Sequence, residues 1–177
     1  MRAVATALGT SAGSLYRYLS SRDDLLDLMA DRVTGELRPY PSTEGDWLDT
    51  MLLVGREQRA LYQRHPWLLD LVQGPSGFGP ESLAWFDHCL RILEPVHCPV
   101  TAKFEAIAMM TGVVSLFARS ETTARSRAFG RLDPGTYPHL EAALRQPPGP
   151  GSRQDLFERT LRILLTGLLV AEPADEA

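Results

Sequence analysis

The stretch Val4–Leu19 constrains the fold more than any other part of the chain. Apolar residues recur four positions apart on both sides of Gly9, so each side predicts a short helix with one apolar face. These residues are Val4 and Leu8 before the glycine and Leu15 and Leu19 after it. Glycine takes the left-handed conformation that ends a helix without a steric cost, and Thr10 or Ser11 can then cap the second helix. The pattern predicts a helix–turn–helix.

The charge of this end of the chain suits contact with nucleic acid. Residues 1–22 contain three arginines and no acidic residue, whereas the whole chain has a net charge of −4. Arginine and tyrosine side chains donate hydrogen bonds to phosphate oxygens and base edges when a helix lies in a major groove. A helical hairpin with no role in DNA binding fits the same local pattern.

A longer span resembles the tetracycline-repressor (TetR) family of bacterial transcriptional regulators. The similar residues are Ala3–Ala5, Leu8–Gly9, Gly13–Tyr18 and Ser21–Asp27. The Gly-Ser-Leu-Tyr core, followed by a basic residue and two leucines, is the most specific part of this signature. The rest of the chain agrees with such a regulator in length and helical character.

The resemblance implies an all-α fold in two parts. Residues 1–38 would form the helix–turn–helix module with a connecting helix, and residues 44–177 a helical-bundle domain for ligand binding and dimerisation. In the family, one further helix precedes the point where this sequence starts, and it packs on both motif helices. We therefore expect a DNA-binding module that lacks its first helix.

The resemblance also implies a function, a repressor that a small apolar or amphipathic molecule releases from double-stranded operator DNA. By their matching positions, the side chains expected to contact DNA are Ser11, Ala12, Gly13 and Ser14 at base edges, Tyr16, Tyr18 and Arg22 at phosphates, and Arg17 at a guanine or the backbone. The alternative is a helical ligand-binding or dimerisation protein that does not bind DNA because its DNA-binding module, the reader, is incomplete.

Helix start and stop signals divide the remaining chain, and no strand-like alternation of useful length occurs. Further helices are predicted from Ser20–Asp24 to Leu37, from a capping box at Thr43–Asp46 to His65, over Trp67–Val72, over Glu81–Glu94, from Pro99 to about Ser120, from Pro138 to Leu144, and from Ser152 to Val170. In the family the helix that starts near Ser21 connects the two parts, and we expect it to pack on the body through Leu28, Met29 and Val33.

Two of these helices, 99–120 and 152–170, carry so little polar surface that both sides must be covered. Exposed apolar surface of this extent usually marks an interface, and the resemblance implies a homodimer joined by a four-helix interface. The predicted interface residues are Ile107, Thr111, Val114, Phe157, Leu161, Leu164, Leu165 and Leu168. The alternative is that both helices form the central core of a monomer.

Aromatic and methionine side chains at helical spacing could line an apolar cavity for a small-molecule effector. These residues are Trp47, Trp67, Phe86, Phe104, Met109, Met110 and Phe117. Flexible thioethers adapt to varied apolar ligands, which favours Met109 and Met110. The alternative is that these side chains are ordinary core.

The repeated dipeptides His88–Cys89 and His97–Cys98 raise the question of a metal site or a redox-sensing thiol. Adjacent residues on a helix point about 100° apart, and Pro95 and Pro99 flank the second pair. We therefore expect no metal and interpret the cysteines as small buried hydrophobes, with redox sensing left open.

Nothing in the sequence indicates an enzyme or a bound cofactor. The chain has no Ser-His-Asp signature, no glycine-rich phosphate loop after a strand, and no carboxylate pair that we can place together. It also lacks a run of 18 apolar residues and a signal segment, so we expect a cytoplasmic protein without a membrane partner.

Overall fold

A computed structural model describes residues 1–71, 79–122, 136–145 and 153–170, and all regular structure within these ranges is helical, as predicted. The α-helices are α1 Arg2–Ala7, α2 Ala12–Leu15, α3 Arg22–Thr34, α4 Trp47–Arg64, α5 Pro80–Ile92, α6 Val100–Thr122, α7 Pro138–Leu144 and α8 Arg153–Leu169. Short 3-10 turns occupy Gly35–Leu37 and Pro66–Asp70. Val72, the last residue of the helix predicted over Trp67–Val72, and Ser152, the first residue of the last predicted helix, lie outside the described residues.

The start of α3 forms by the predicted serine–acid cap. The Ser21 hydroxyl accepts a hydrogen bond from the backbone N–H of Asp24 at 3.0 Å, and the Asp24 carboxylate accepts from the N–H groups of Ser20 and Ser21 at 2.7 and 3.2 Å. This reciprocal pairing satisfies orphan N–H groups of the first turn. The Ser21 hydroxyl and the backbone N–H groups also lower the pKa of Asp24.

The start of α4 differs in detail from the prediction. Its N-cap is Asp46, whose carboxylate accepts from the N–H groups of Leu48 and Asp49 at 2.9 and 3.0 Å, so the expected pairing that begins at Thr43 is wrong. The end of α4 is as predicted, because His65 follows its last residue and a proline comes next. Asp46 reaches both N–H groups alone and needs no partner three residues away.

The core lies where α4, α6 and α8 pack together, and α5 covers one further side. Gly55 marks the closest approach of α4 to α8, since a β-carbon there would lie 2.7 Å from a methyl carbon of Leu161. Phe157 is fully buried, with the Phe117 ring 5.2 Å away and the Arg59 guanidinium 4.6 Å from its ring centre. The body is therefore a helical bundle with tight contacts between helices far apart in sequence.

Helix α6 is long and apolar enough over Val100–Arg119 to cross a membrane by length and composition alone. It packs on both α4 and α8, and its side chains Ile107, Met110 and Val114 are fully buried within the chain. A central helix of a helical body passes the same test, so this finding does not indicate a membrane protein.

Candidate functional site: the helix–turn–helix and the helical body

The turn between α1 and α2 has the geometry that its glycine predicts. Gly9 has a φ of +65°, and its N–H donates to the carbonyl of Thr6 at 3.1 Å. The N–H of Thr10 then donates to the carbonyl of Ala5 at 2.9 Å. Of the two caps considered, Ser11 is the one used, and its hydroxyl accepts from the N–H of Ser14 at 3.1 Å. The two helices are thus held at a defined turn.

The residues expected at DNA lie largely on the surface of this motif. Tyr18 is 86% exposed, and Tyr16, Arg17 and Arg22 are exposed as well. Of the four positions at the start of α2, Ser11 and Gly13 are exposed, whereas Ala12 and Ser14 are half-buried. The motif therefore presents its tyrosines and arginines outward.

The apolar side of the motif differs from the prediction at one position. Ala5 and Leu19 are buried, but Leu8 is 65% exposed and does not share a buried face with Val4. The reason is local, because α1 ends at Ala7 and Leu8 is already the residue at which the chain turns away.

The connecting helix α3 contacts the body through other residues than those predicted. Leu28 and Met29 are exposed, so their expected role in packing is wrong. Val33 packs against the core, and the carboxylate of Asp31 is buried against the start of α5. Apolar periodicity alone did not identify this face because its most buried member is an acid.

Five of the predicted dimer-interface residues belong to the core of a single chain. Ile107, Val114, Phe157, Leu161 and Leu165 are all 0% exposed, because α6 and α8 pack on each other and on α4 through these side chains. The prediction that these five residues form the dimer interface is therefore wrong. Thr111 and Leu164 are half-buried, and Leu168 is exposed.

The same two helices expose other apolar side chains. On α6 these are Val100, Phe104, Met109 and Leu116, with Gly112 between the last two. On α8 they are Leu156 and Ile163, and Gly167 lies between Ile163 and the exposed Val170, which follows the helix. In the described part of the chain, nothing lies within 4 Å of a β-carbon added at either glycine. Glycine inside a helix costs about 0.5–1 kcal/mol relative to alanine, and nothing around these two within the described structure requires it.

Most of the residues predicted to line an effector cavity lie in or against the hydrophobic core of the body. Phe86 and Phe104 stack with ring centres 5.5 Å apart, and Phe117 packs on Phe157. Met110 is fully buried, whereas its neighbour Met109 is 54% exposed. The indole rings of Trp47 and Trp67 are partly buried at the edge of the core.

A buried polar cluster between α4 and α6 was not predicted. The Gln58 amide nitrogen lies 3.1 Å from the Tyr62 hydroxyl and 3.4 Å from the Thr111 hydroxyl. Gln58 is only 5% exposed, and its amide oxygen has no hydrogen-bond partner in the described structure. Burial raises the pKa of Tyr62 to about 12, so its hydroxyl stays protonated. The available signal was two polar residues four apart on the apolar side of α4.

A second buried polar group, His88, lies where α5 meets the segment between α3 and α4. The His88 ring stacks on Tyr40 with ring centres 4.7 Å apart, and no hydrogen-bond partner of its Nε2 is found in the described part of the chain. Burial lowers the pKa of His88. Burial also raises the pKa of Cys89 to about 12, which keeps the thiol protonated and unreactive.

The two His–Cys dipeptides do not come together as a metal site. His88 and Cys89 are buried in the core, whereas His97 is exposed and Cys98 is half-buried. Across residues 1–71, 79–122, 136–145 and 153–170, no three His, Cys, Asp or Glu side chains are placed to hold a metal ion.

The fold and these sites define a class of protein: an all-helical body joined by one connecting helix to a small helix–turn–helix. Residues 39–171 match the family described as tetracyclin repressor-like, C-terminal domain. The chain belongs to the TetR family.

Individual relatives agree with this assignment. The chain is 38% identical over 122 residues, 68% of its length, to the HTH-type transcriptional repressor DrrR1 of Streptomyces coeruleorubidus, of which the match covers 45%. It is 37% identical over 84 residues, 48% of its length, to an HTH-type transcriptional regulator of Saccharopolyspora erythraea, of which the match covers 36%. The chain thus spans less than half of each of these curated relatives.

Solved structures show the same fold. The TetR family protein ActR of Streptomyces coelicolor, solved in complex with actinorhodin, superposes with a TM-score of 0.75 at 23% sequence identity. The superposition covers 95% of this chain and 85% of that one.

Proposed function

We propose that the chain acts as a cytoplasmic, ligand-responsive transcriptional repressor that binds double-stranded operator DNA as a homodimer. The observation that supports this best is the helix–turn–helix itself, with tyrosines and arginines turned outward at the end of a connecting helix. The names of the curated relatives support the same function. Residues 1–38 would serve as the reader and 44–177 as the effector-binding and dimerisation body.

In this proposal the start of α2 approaches base edges with Ser11, Ala12, Gly13 and Ser14. The remaining reader residues contact the backbone or a guanine, and they are Tyr16, Arg17, Tyr18 and Arg22. Arginine at a guanine supplies about 1–3 kcal/mol of discrimination, whereas a phosphate contact weakens with salt and carries no sequence information.

DNA binding is tested by fluorescence anisotropy with a duplex from the promoter region next to the chain's own gene. We expect binding at low salt that weakens as salt rises, and a loss of at least tenfold in affinity for Arg17→Ala. Arg145→Ala is the matched control, because Arg145 is exposed on α7 and pairs only with Glu141 in the described structure. Equal affinity of the two variants would remove Arg17 from the reader, and no binding at low salt would overturn the repressor proposal for this chain.

The effector in this proposal has an apolar frame with at least one hydrogen-bonding group. The apolar part would contact the predicted aromatic and methionine side chains, foremost the buried Met110 and the stacked pair Phe86 and Phe104. The polar part would satisfy the open amide of Gln58, because an unpartnered buried polar group costs about 1–3 kcal/mol. ActR, which shares the fold, was solved with the small molecule actinorhodin.

A matched pair of probes tests the polar contact. We expect 2-naphthol to bind the purified chain more tightly than naphthalene, measured by quenching of tryptophan fluorescence. Gln58→Leu should reduce this difference by at least fivefold, whereas Gln63→Leu, which alters an exposed residue of the same helix, should leave it unchanged. An unchanged difference in Gln58→Leu would remove Gln58 from the effector site.

The proposed dimer uses the exposed rows of α6 and α8, and of the predicted interface residues it retains Leu168, Leu164 and Thr111. Gly112 and Gly167 support this surface, since a glycine without a neighbour allows a partner helix to approach closely. Native mass spectrometry gives the subunit number and detects any retained small molecule.

The second candidate is a dimeric ligand-binding protein without DNA affinity. The observation that favours it is the exposed apolar surface of the N-terminal part, where Leu8, Leu28 and Met29 lack a cover in the described structure. A folded dimer that binds probe but shows no DNA affinity at low salt would support this candidate.

A further inference from the structure

The carboxylate of Asp31, on the connecting helix α3, serves as the N-terminal cap of α5. Its Oδ1 accepts hydrogen bonds from the Ser82 N–H at 2.8 Å and the Ser82 hydroxyl at 2.9 Å, and its Oδ2 accepts from the Glu81 N–H at 3.3 Å. Asp31 is only 8% exposed. The cap and the capped turn are about 50 residues apart in sequence.

Helix α5 cannot supply this cap from its own sequence. The residue before its first turn is Gly79, which has no side chain to accept a hydrogen bond, and the helix then begins with Pro80. The N–H groups of the first turn need acceptors, and a negative charge there interacts favourably with the helix dipole. Asp31 provides both, so the docking of α3 stabilises the start of α5.

The absence of a side chain at Gly79 leaves room for the Asp31 carboxylate. A β-carbon added at Gly79 would overlap the Asp31 carboxyl group. The backbone there has a φ of −82° and a ψ of 176°, an extended conformation that any residue adopts. The space taken by the carboxylate, and not the backbone conformation, is therefore what requires glycine.

The turn after α3 adds a second contact with α5, at Glu81. The Arg38 guanidinium donates to the Glu81 carboxylate at 2.8 Å, and a β-carbon at Gly35 would lie 3.2 Å from the Glu81 side chain. This ion pair is partly exposed and weak by itself. Asp31, Gly35 and Arg38 thus all lie next to the first turn of α5.

We propose that Asp31 is a positioning residue that makes α3 and the first turn of α5 move as one unit. If the turn moved while α3 stayed in place, a buried carboxylate would lose all three of its donors, and such a group is far costlier than one that is fully docked or fully hydrated. This contact of Asp31 with the first turn of α5, called the joint below, therefore has two arrangements, docked and released. Its use in regulation rests on the proposed function, in which an effector that shifts α5 would release the helix that carries the reader.

Hydrogen–deuterium exchange on the intact chain tests this joint without DNA or effector. We expect Asp31→Asn to speed exchange roughly tenfold in two separate peptides, one within α3 and one at the start of α5, since a charged cap is lost. Ser82→Ala, on the other side of the joint, should speed exchange in the same two peptides by a smaller factor. The double variant should add little to Asp31→Asn alone, because both changes break one joint.

The matched control is Asp23→Asn, the same substitution on an exposed residue of the same helix. It should leave exchange at the start of α5 unchanged. Faster exchange in α5 alone, or uniform acceleration across the α4, α6 and α8 peptides, would overturn the proposal, since the first shows a cap without coupling and the second a general loss of stability. Ser82→Ala keeps the test valid if Asp31→Asn does not fold. A failed DNA titration leaves this result unaffected, so the two proposals are judged separately.

Discussion

The carboxyl group of Asp31 occupies the space that a β-carbon on Gly79 would need. One residue lies on the helix that follows the reader and the other at the start of a body helix, so the absence of a side chain at one position permits the buried charge at the other. This relationship is a contact between the two parts of the chain that can be altered from either side.

Gly79→Ala should lower the free energy of unfolding by about 1–3 kcal/mol, because an added methyl group in a filled space forces its neighbours to move. In an Asp31→Ala background the same change should be neutral or stabilising by about 0.4–1 kcal/mol, since alanine fits the backbone and restricts the unfolded chain. Urea denaturation of the four proteins measures both values.

Gly45→Ala is the control for this cycle, because a β-carbon there would make only an ordinary contact, 3.5 Å from the Thr50 hydroxyl. It should change stability by less than about 0.5 kcal/mol. If Gly79→Ala costs the same in both backgrounds, the collision with Asp31 is not the cause.

Leu161 and Ile163 form a second test, since they lie two positions apart on α8 and face opposite ways. Leu161→Ala should destabilise the chain by about 2–5 kcal/mol, because the side chain is fully buried between α4 and α8. Ile163 is 67% exposed in the single chain, so Ile163→Ala should hardly affect unfolding of a monomer. In the proposed dimer it should weaken association, which sedimentation over a dilution series measures.

The opposite pattern would contradict the assignment of faces. A large loss of monomer stability in Ile163→Ala with unchanged association would show that the exposed row of α8 belongs to the core. Unchanged stability in Leu161→Ala would exclude the close packing described for α4 and α8.

The sequence predicts the fold best where the signal comes from residues close together in the chain. Local signals were correct at three places, since Gly9 predicts the turn, Ser21 and Asp24 the start of α3, and His65 the end of α4. The local capping signal at Thr43 was wrong. Each of these depends on residues within four positions of one another.

The choice of faces on α6 and α8 could not be made in the same way. Both helices are apolar on most sides, so periodicity does not distinguish the row that packs inside the chain from the row left outside. The more regular row, which includes Ile107 and Phe157, is the row predicted to form the interface, but the structure places it in the core. The contact of Asp31 with Ser82 was missed because it joins polar residues distant in sequence, for which single-chain patterns carry no signal.

Gly167 offers a test of the proposed interface that does not depend on the core. Gly167→Leu should shift native mass spectra from dimer to monomer, since the added side chain would stand between the two close helices. The monomer itself should remain folded, because no atom among the described residues lies within 4 Å of a β-carbon at this position. Ala143→Leu, a similar enlargement at an exposed residue of α7, should leave the subunit number unchanged. A Gly167→Leu variant that stays fully dimeric would exclude close approach at this glycine.

His88 gives stability a dependence on pH. Burial, and to a smaller extent the charge of Arg91, lowers the pKa of His88 in the folded chain, while Asp87 opposes the shift. The unfolded chain therefore binds a proton at a higher pH than the folded chain does, and linkage requires stability to fall as pH drops from about 6.5 toward the folded pKa. His88→Phe keeps an aromatic ring for the stack on Tyr40 but cannot bind the proton, so its unfolding free energy should fall less between about pH 7.5 and pH 5.5. His139→Phe, at an exposed histidine of α7, should retain the slope of the original chain, and an equal slope in His88→Phe would show that another group carries the dependence.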